Sequence, residues 1–373
     1  MRIVHIGPAN LPILYQFGGA IERRIIELAR AQSKLGHEVV VYSSGDEKVE
    51  SRVDGVAVRH IPLRINGKGR FLEFQVRAVR DLRSRSGPRP DILHFHSQPE
   101  GAFLARRLNA RKFLSYDNFD FRNSSSNHLA MVYRRLLMRF DKLLPCSQYC
   151  LLKSQSLWDF PSQLVTPLFN GVNIEQFSPD QAQGLRESER LQLDGKIALY
   201  VGRVCRQKGT HVLIEAFRII NAARSDIKLV IAGPISQFGS TEDASMWKEQ
   251  IDEVRGLYLG AVEEERLSSI YNLADIFVMP TIELEMFGMA VIEAQACGKP
   301  VVASDHGGLK ETVPESCGGR FPIGDGRALA QQIMSLIDNE TIYARCSQNA
   351  IKNASQYAWS RIAETAIDIY EAR

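Results

Sequence analysis

Apolar positions along the chain follow two alternating rhythms. Short β-rich runs, Arg2–Gly7, Glu38–Ser43, Asp91–His96 and Lys112–Tyr116, predict strands in the first half. Between them the apolar spacing becomes helical. Ala20–Lys34 places Ile21, Ile25, Leu28 and Ala29 on one stripe and stops before Gly36, while Phe71–Arg85 and Met131–Lys142 predict two further amphipathic helices rich in arginine. The second half repeats the rhythm. Ile197–Gly202, Lys228–Gly233, Gly256–Gly260, Asp275–Pro280 and Pro300–Ser304 predict strands, with helices near Thr210–Ala222, Glu263–Leu273, Gly288–Cys297 and Ala328–Ile337. Strands and helices in alternation predict parallel sheets, so the expected class is α/β with two doubly wound domains. Regular patterning breaks at Pro167–Pro179, around Asn170-Gly171 and Phe177-Ser178-Pro179, which places the joint there. The last amphipathic face, Ile362, Ala366, Ile369 and Tyr370, must be buried somewhere.

With 373 residues the chain can build two cores, and no apolar run approaches the ~20 residues of a membrane span. The N-terminal strand lacks the longer apolar stretch of a secretion signal, which predicts action inside the cell, in the cytoplasm. Six scattered cysteines form no Cys-x-x-Cys pair, so reduced, structural thiols are expected. Net charge is only +3, yet it is unevenly spread. Up to Asn170 there are 26 basic and 15 acidic residues, and beyond it 20 and 28. The basic half suggests an anionic partner, either a phosphorylated acceptor or a membrane surface, although a solvated basic face has the same composition.

The most informative motif is Glu285-Met-Phe-Gly-Met-Ala-Val-Ile-Glu293. If Gly288 opens a helix, its first free amides face a ligand and Glu293 stands one turn inside, where an acceptor-only carboxylate suits paired hydroxyls. A helix carrying two solvated acids fits the spacing equally. The segment Gly202-Arg203-Val204-Cys205-Arg206-Gln207-Lys208-Gly209-Thr210 sets cations between a strand and a helix, as a diphosphate requires. Gly18-Gly19 lets backbone amides approach a ligand, or simply turns the chain. His94 and His96 share one side of a strand but lack a third metal ligand, and read as core or rim histidines. Asp117 either points into a cleft between the domains or caps the turn into Phe119–Arg122. Dinucleotide and P-loop fingerprints are missing, as is a Gly-x-Ser-x-Gly elbow, which weakens oxidoreductase, ATPase and hydrolase readings.

Together these segments resemble the retaining glycosyltransferases of family four, over nearly the whole chain. The marks are Gly18-Gly19 with Gly36-His37-Glu38-Val39, Asn170-Gly171-Val172 with Phe177-Ser178-Pro179, Gly202-Arg203 with Lys208-Gly209, Leu267, Tyr271 and Ala274-Asp275, and Glu285 with Glu293 before Gly298-Lys299-Pro300-Val301. The resemblance implies a type B fold: two Rossmann-like domains facing across a cleft, at 1–168 and 169–356, with 357–373 returning to the first. It further implies transfer of a hexose from a nucleotide sugar, most simply UDP-linked, to a hydroxyl of a bacterial cell-envelope glycan, glycolipid or small molecule. Arg203 and Lys208 would hold the diphosphate and Glu293 the ribose. Glu285 and the amides of Phe287, Gly288 and Met289 would grip the sugar, with Gly19 closing over the phosphates. No metal and no cofactor beyond the donor are implied, since cations of the chain replace a metal. Relatives carry histidine where Asp117 stands; an aspartate there could accept a bond from the sugar, and its charge would also favour an oxocarbenium or a cationic acceptor. Two other outcomes fit the same residues: a nucleotide-sugar-binding protein without turnover, and a hydrolysing type B epimerase. Arg77, Arg80, Arg83 and Arg85, with Arg134, Arg135, Arg139 and Lys142, suggest peripheral contact with an anionic membrane at its inner face. These cations are not interleaved with a nucleic-acid module, so no nucleic-acid partner is expected.

Overall fold

The computed structural model describes residues 1–9, 12–13, 19–65, 67, 69–85, 87–117, 127–235 and 244–372, with backbone alone for 127–130. Two compact units result, Met1–Gly171 together with Trp359–Arg373, and Val172–Ala358.

In the first unit the strands are β1 Arg2–Ile6, β2 Glu38–Gly45, β3 Glu50–Val53, β4 Val56–Pro62, β5 Ile92–His96, β6 Arg111–Tyr116 and β7 Lys142–Pro145. Its helices are α1 Ala20–Lys34, α2 Gly69–Ser84, α3 Glu100–Leu104, α4 Asn127–Leu137, α5 Gln148–Trp158 and, from the end of the chain, α14 Trp359–Glu371. The sheet runs β3-β4-β2-β1-β5-β6-β7 and is parallel except at β3–β4. Helix α1 buries Ile25, Leu28, Ala29 and Gln32, and Gly36 at φ +86 ends the segment as the pattern predicts. Against α1 lies α14, whose Ile362, Ala366, Ile369 and Tyr370 are all buried. Gly171 admits the Trp359 ring, which would lie 2.4 Å from an added Cβ.

The second unit holds β8 Lys196–Val201, β9 Ile227–Ala232, β10 Leu257–Gly260, β11 Ile276–Met279, β12 Val301–Ser304 and β13 Gly318–Phe321. Its helices are α6 Gln181–Leu191, α7 Thr210–Ala223, α8 Ala244–Glu253, α9 Glu264–Leu273, α10 Met289–Ala296, α11 Leu309–Thr312, α12 Gly326–Asp338 and α13 Glu340–Gln356. All six strands are parallel, in the order β10-β9-β8-β11-β12-β13. The order reverses between β8 and β11, and the loops leaving those two strands part at that point.

One expectation needs correction, and two further features carried none. The helix expected over Met131–Lys142 ends at Leu137, and Lys142 opens β7. Leu143 and Leu144 are fully buried, and Leu143 lies beside Leu114 of β6, so the free edge of β6 claims a run too short to show its own period. The β3–β4 hairpin was unmarked, although Asp54-Gly55, both at positive φ, is a two-residue hairpin turn. Strand β13 hides behind Gly318-Gly319, where a Cβ on Gly318 would stand 1.9 Å from the Val301 carbonyl oxygen.

Candidate active site

Seven of the residues singled out by sequence lie on two neighbouring loops of the second unit and the helix that follows. After β8 the chain turns through Arg203 and a 3-10 turn at Arg206–Lys208 into α7. After β11 it runs from Pro280 through Glu285 to Gly288, which caps α10 at φ +90. The loops are laced together. Amides of Ile282 and Glu283 and the Thr281 hydroxyl all donate to the Gln207 carbonyl, at 3.1, 3.0 and 3.3 Å. Gly209 lets the first loop lie against the Pro280 carbonyl, and Thr210 Oγ1 ties back to both the amide and the carbonyl of Cys205.

Lys208 Nζ donates to Glu285 Oε2 at 2.6 Å, with both side chains only partly exposed. The Arg203 side chain is exposed and has no ion pair among the described residues. Buried Tyr200 donates from its hydroxyl to the Arg203 carbonyl at 2.7 Å. Its hydroxyl is pushed upward first by burial, and the charges of Arg203 and Glu285 pull it in opposite directions. Above this pair the Gly288 and Met289 amides take no hydrogen bond among the described residues. Amides at a helix start favour negative charge, so α10 adds to the positive field of Arg203 and Lys208. At α7 the amides of Lys208, Gly209 and Thr210 already bond within the 3-10 turn. The open amides are therefore those of α10.

Glu293 lies four residues into α10, nearly buried, and accepts from the Tyr271 hydroxyl at 2.8 Å. Phe287 turns its ring inward, edge-on to Tyr357, and its carbonyl accepts from Thr312 Oγ1. The loop after β12 closes the set. Gly307 and Gly308 lie against the carbonyls of Glu285 and Met286, and the Gly308 amide donates to the Glu285 carbonyl at 2.8 Å.

Two candidates belong to the first unit. Gly19 is the extended residue before α1, and its carbonyl accepts from the Arg23 amide; Gly18 lies outside the described residues. Asp117 follows β6 and pairs with Arg24 of α1. The turn it was expected to cap, Phe119–Arg122, lies outside the described residues, as do the polar residues Asp120 and Asn123.

His94 and His96 are core residues, completed by His5 opposite His94 on β1. Burial, the largest cause, holds all three rings neutral, with His5 lowered to about 4. Their nitrogens come within 4.8 Å of one another, a spacing that could hold a metal ion. The hydrogen bonds argue otherwise. His94 and His96 stack face to face at 4.3 Å, and both nitrogens of His94 are engaged, by Tyr370 and Ser115.

The family models match on both sides of the joint. Residues 17–176 match Glycosyltransferase Family 4, and residues 181–353 match Glycosyl transferases group 1. This chain belongs to glycosyltransferase family 4.

Among its relatives is D-inositol 3-phosphate glycosyltransferase 2 of Catenulispora acidiphila, 32% identical over 54% of this chain and 48% of that protein. The chain thus spans about half the length of that relative. Phosphatidyl-myo-inositol mannosyltransferase of Mycobacterium leprae is 25% identical over 96% of this chain and 95% of its own. The Anabaena protein HepE, solved with UDP and glucose, superposes with a TM-score of 0.78 at 20% identity, covering 100% of both chains, and shows the type B fold.

The family-four marks have local structural reasons. Lys299 donates to the Asn272 carbonyl at 3.0 Å, and Asp275 accepts from the Ile197 amide at 2.8 Å, so both fasten α9 and β11. Sequence reasoning missed Gln207, Thr281 and Gly307-Gly308, whose contributions are backbone bonds and close approach. It also missed Arg24, which carries no local motif. His306 was another; it shares a hydrogen bond with the Thr281 carbonyl through Nε2 at 3.0 Å.

Proposed function

We propose that this transferase moves a hexose from a UDP-linked donor to a hydroxyl of a glycan, glycolipid or small polyol, with retention of configuration. The observation that carries the reading is the Lys208–Glu285 pair beside the open α10 amides, at the point where the strand order of the second sheet reverses. In this reading the Phe287, Gly288 and Met289 amides donate to hydroxyls of the sugar, while Arg203 and Lys208 hold the diphosphate. They offset the charge that grows on it as the bond from the anomeric carbon to phosphate oxygen breaks. The acceptor oxygen bonds to the same face of that carbon, and its proton passes to the departing phosphate. Glu285, oriented by Lys208, accepts from sugar hydroxyls, and Glu293, oriented by Tyr271, accepts from the ribose. Asp117 accepts from a hydroxyl in the first unit. Cations of the chain do here what a metal would otherwise do. Two relatives are named for inositol phosphate and phosphatidylinositol, both polyol phosphates, and the basic first half suits such an acceptor.

The test is a panel of UDP-, GDP- and ADP-sugars with polyol and lipid acceptors, read by nucleotide release and by the anomeric configuration of the product. Acceptor-dependent release from a UDP-hexose with a retained anomer, unchanged by a chelator, is expected. Silence with every donor would overturn the reading. Thermal stabilisation by UDP without transfer would mark a binding protein, and equal release without acceptor a hydrolase.

Peripheral membrane contact belongs to the same proposal. Of the cations first considered, Arg77 pairs with Glu73 and Arg85 with Asp81 and Glu50, while Arg83, Arg134 and Lys142 donate to backbone carbonyls. That leaves Arg80, Arg135 and Arg139 exposed with no ion pair or carbonyl partner among the described residues. Arg106 and Arg139 flank the Phe103 ring, and Phe103, Met131, Val132 and Tyr133 are exposed on the adjoining helices α3 and α4. Cations around exposed apolar side chains suit an anionic bilayer. The protein is expected to sediment with phosphatidylglycerol vesicles, and Arg135→Glu with Arg139→Glu to release it; binding indifferent to anionic lipid would refute the contact. No described helix is long and apolar enough to cross a membrane.

A further inference from the structure

Arg24 is a buried cation of the first unit. Its side chain is only 1% exposed, and a charge at that depth is costly unless it is paired and hydrogen-bonded. The structure directs its donors to three places. One nitrogen pairs with the Asp117 carboxylate; the other donates to Ser115 Oγ and to the Leu168 carbonyl, each at 3.1 Å.

Ser115 is held in turn. His94 bridges it, at 2.7 Å, to the Tyr370 hydroxyl, at 2.6 Å, which lies on α14. Gln32 donates to that hydroxyl at 3.3 Å, and its amide oxygen accepts from His5 Nε2 at 2.7 Å. His5 Nδ1 must then accept, so His96 donates to it from Nε2, and His96 Nδ1 is left bare, in agreement with its lack of a partner. A network of neutral groups thus runs from β1 and α14 to one charged donor, and that donor ends on Asp117. Asp117 keeps its second oxygen unbonded among the described residues, and its side chain is 22% exposed.

We propose that Arg24 is the positioning residue of Asp117, cancelling its charge and fixing one oxygen so that the other accepts a polyol hydroxyl. This rests on the function proposed above. The pair is net neutral, so Asp117 acts as an aimed acceptor and contributes little as an anion to stabilising a cationic sugar. Arginine is required because a planar fork serves three acceptors, whereas the single nitrogen of a lysine cannot span them.

The experiment is a double-mutant cycle of Arg24→Lys and Asp117→Asn in the full chain. It reads kcat and KM for UDP-glucose, UDP-N-acetylglucosamine and GDP-mannose, with and without acceptor, beside thermal unfolding. Each single variant is expected to lower kcat/KM about 10- to 100-fold while remaining folded, and the double variant to be no worse than Asp117→Asn. Losses that appear without acceptor place the hydroxyl on the donor sugar; losses confined to acceptor KM place it on the acceptor. Arg24→Met with Asp117→Asn, which removes both charges together, guards against misfolding and is expected to match Asp117→Asn in rate. Losses that multiply in the double variant, or an Arg24→Lys protein that unfolds earlier yet turns over normally, would overturn the positioning role alone. A wild type inert to every donor would overturn the proposed function, and this inference with it.

Discussion

Replacing Lys208 with methionine is expected to lower kcat/KM for the donor by about 100- to 1,000-fold, the usual loss when one preorganised donor to a developing charge is removed. Methionine keeps the length of the apolar stem. What disappears is one positive charge, at the place where Lys208 Nζ now meets Glu285 Oε2 at 2.6 Å. Two effects follow. The diphosphate loses a cation whose attraction grows as the leaving group gains charge, so kcat should fall more than the affinity for the donor. Glu285 also loses the partner that orients it, and its carboxylate would then stand unneutralised beside an anionic donor. Steady-state rates and equilibrium UDP binding separate the two. A Lys208→Met enzyme whose kcat is intact would remove the central support for the proposed site.

The second large effect is structural. Gly209 has φ +76, and a Cβ added there would lie 1.8 Å from the Pro280 carbonyl oxygen and 2.6 Å from its carbon. The neighbour is backbone and has nowhere to go. Gly209→Ala is therefore expected to cost about 3 kcal/mol or more of stability, combining a left-handed backbone penalty with a steric clash. Gly36→Ala is the control, since Gly36 has a similar φ of +86 but nothing within 4 Å of its Cβ position. It should cost only about 1 kcal/mol, the backbone term alone. Chemical denaturation of both variants gives the difference. Equal losses would show that the two loops do not depend on close contact at Gly209. A large loss at Gly209 alone would show that the loops bearing Lys208 and Glu285 are set by this approach.

The pattern of the chain and the structure agree where an element signals itself locally. Helix α1 was legible to the residue, because its apolar stripe and the Gly36 stop are both encoded within the segment. Strands of a covered parallel sheet read as near-continuous apolar runs, and five were found in the second unit to within a residue or so at each end. Elements that borrow their definition from a neighbour were missed. Strand β7 exists because β6 offers an edge, and β13 because glycines let it lie against β12. The candidate site divides in the same way. The charged residues Arg203, Lys208, Glu285 and Glu293 stood out because side chains of that chemistry occupy loops next to strand ends. Gln207, Thr281 and Gly307-Gly308 did not, since a backbone carbonyl has no residue type to betray it. Arg24 looked like one more cation on a helix rich in them.

By itself, the chain determined its alternation of strands and helices, its two units, and the chemistry of the residues at the ends of particular strands. These are local properties, fixed by the period of side-chain direction and by turn residues. Tertiary structure decided which of those ends are neighbours. Lys208 and Glu285 lie 77 positions apart, and Arg24 and Asp117 lie 93 apart, so no local period relates them. They meet because parallel sheets order their strands out of sequence, with β8 beside β11 in one unit and β1 and β5 leading to β6 in the other. Pairing across such distances is decided by burial and backbone hydrogen bonding over the whole sheet, and no single segment carries that information.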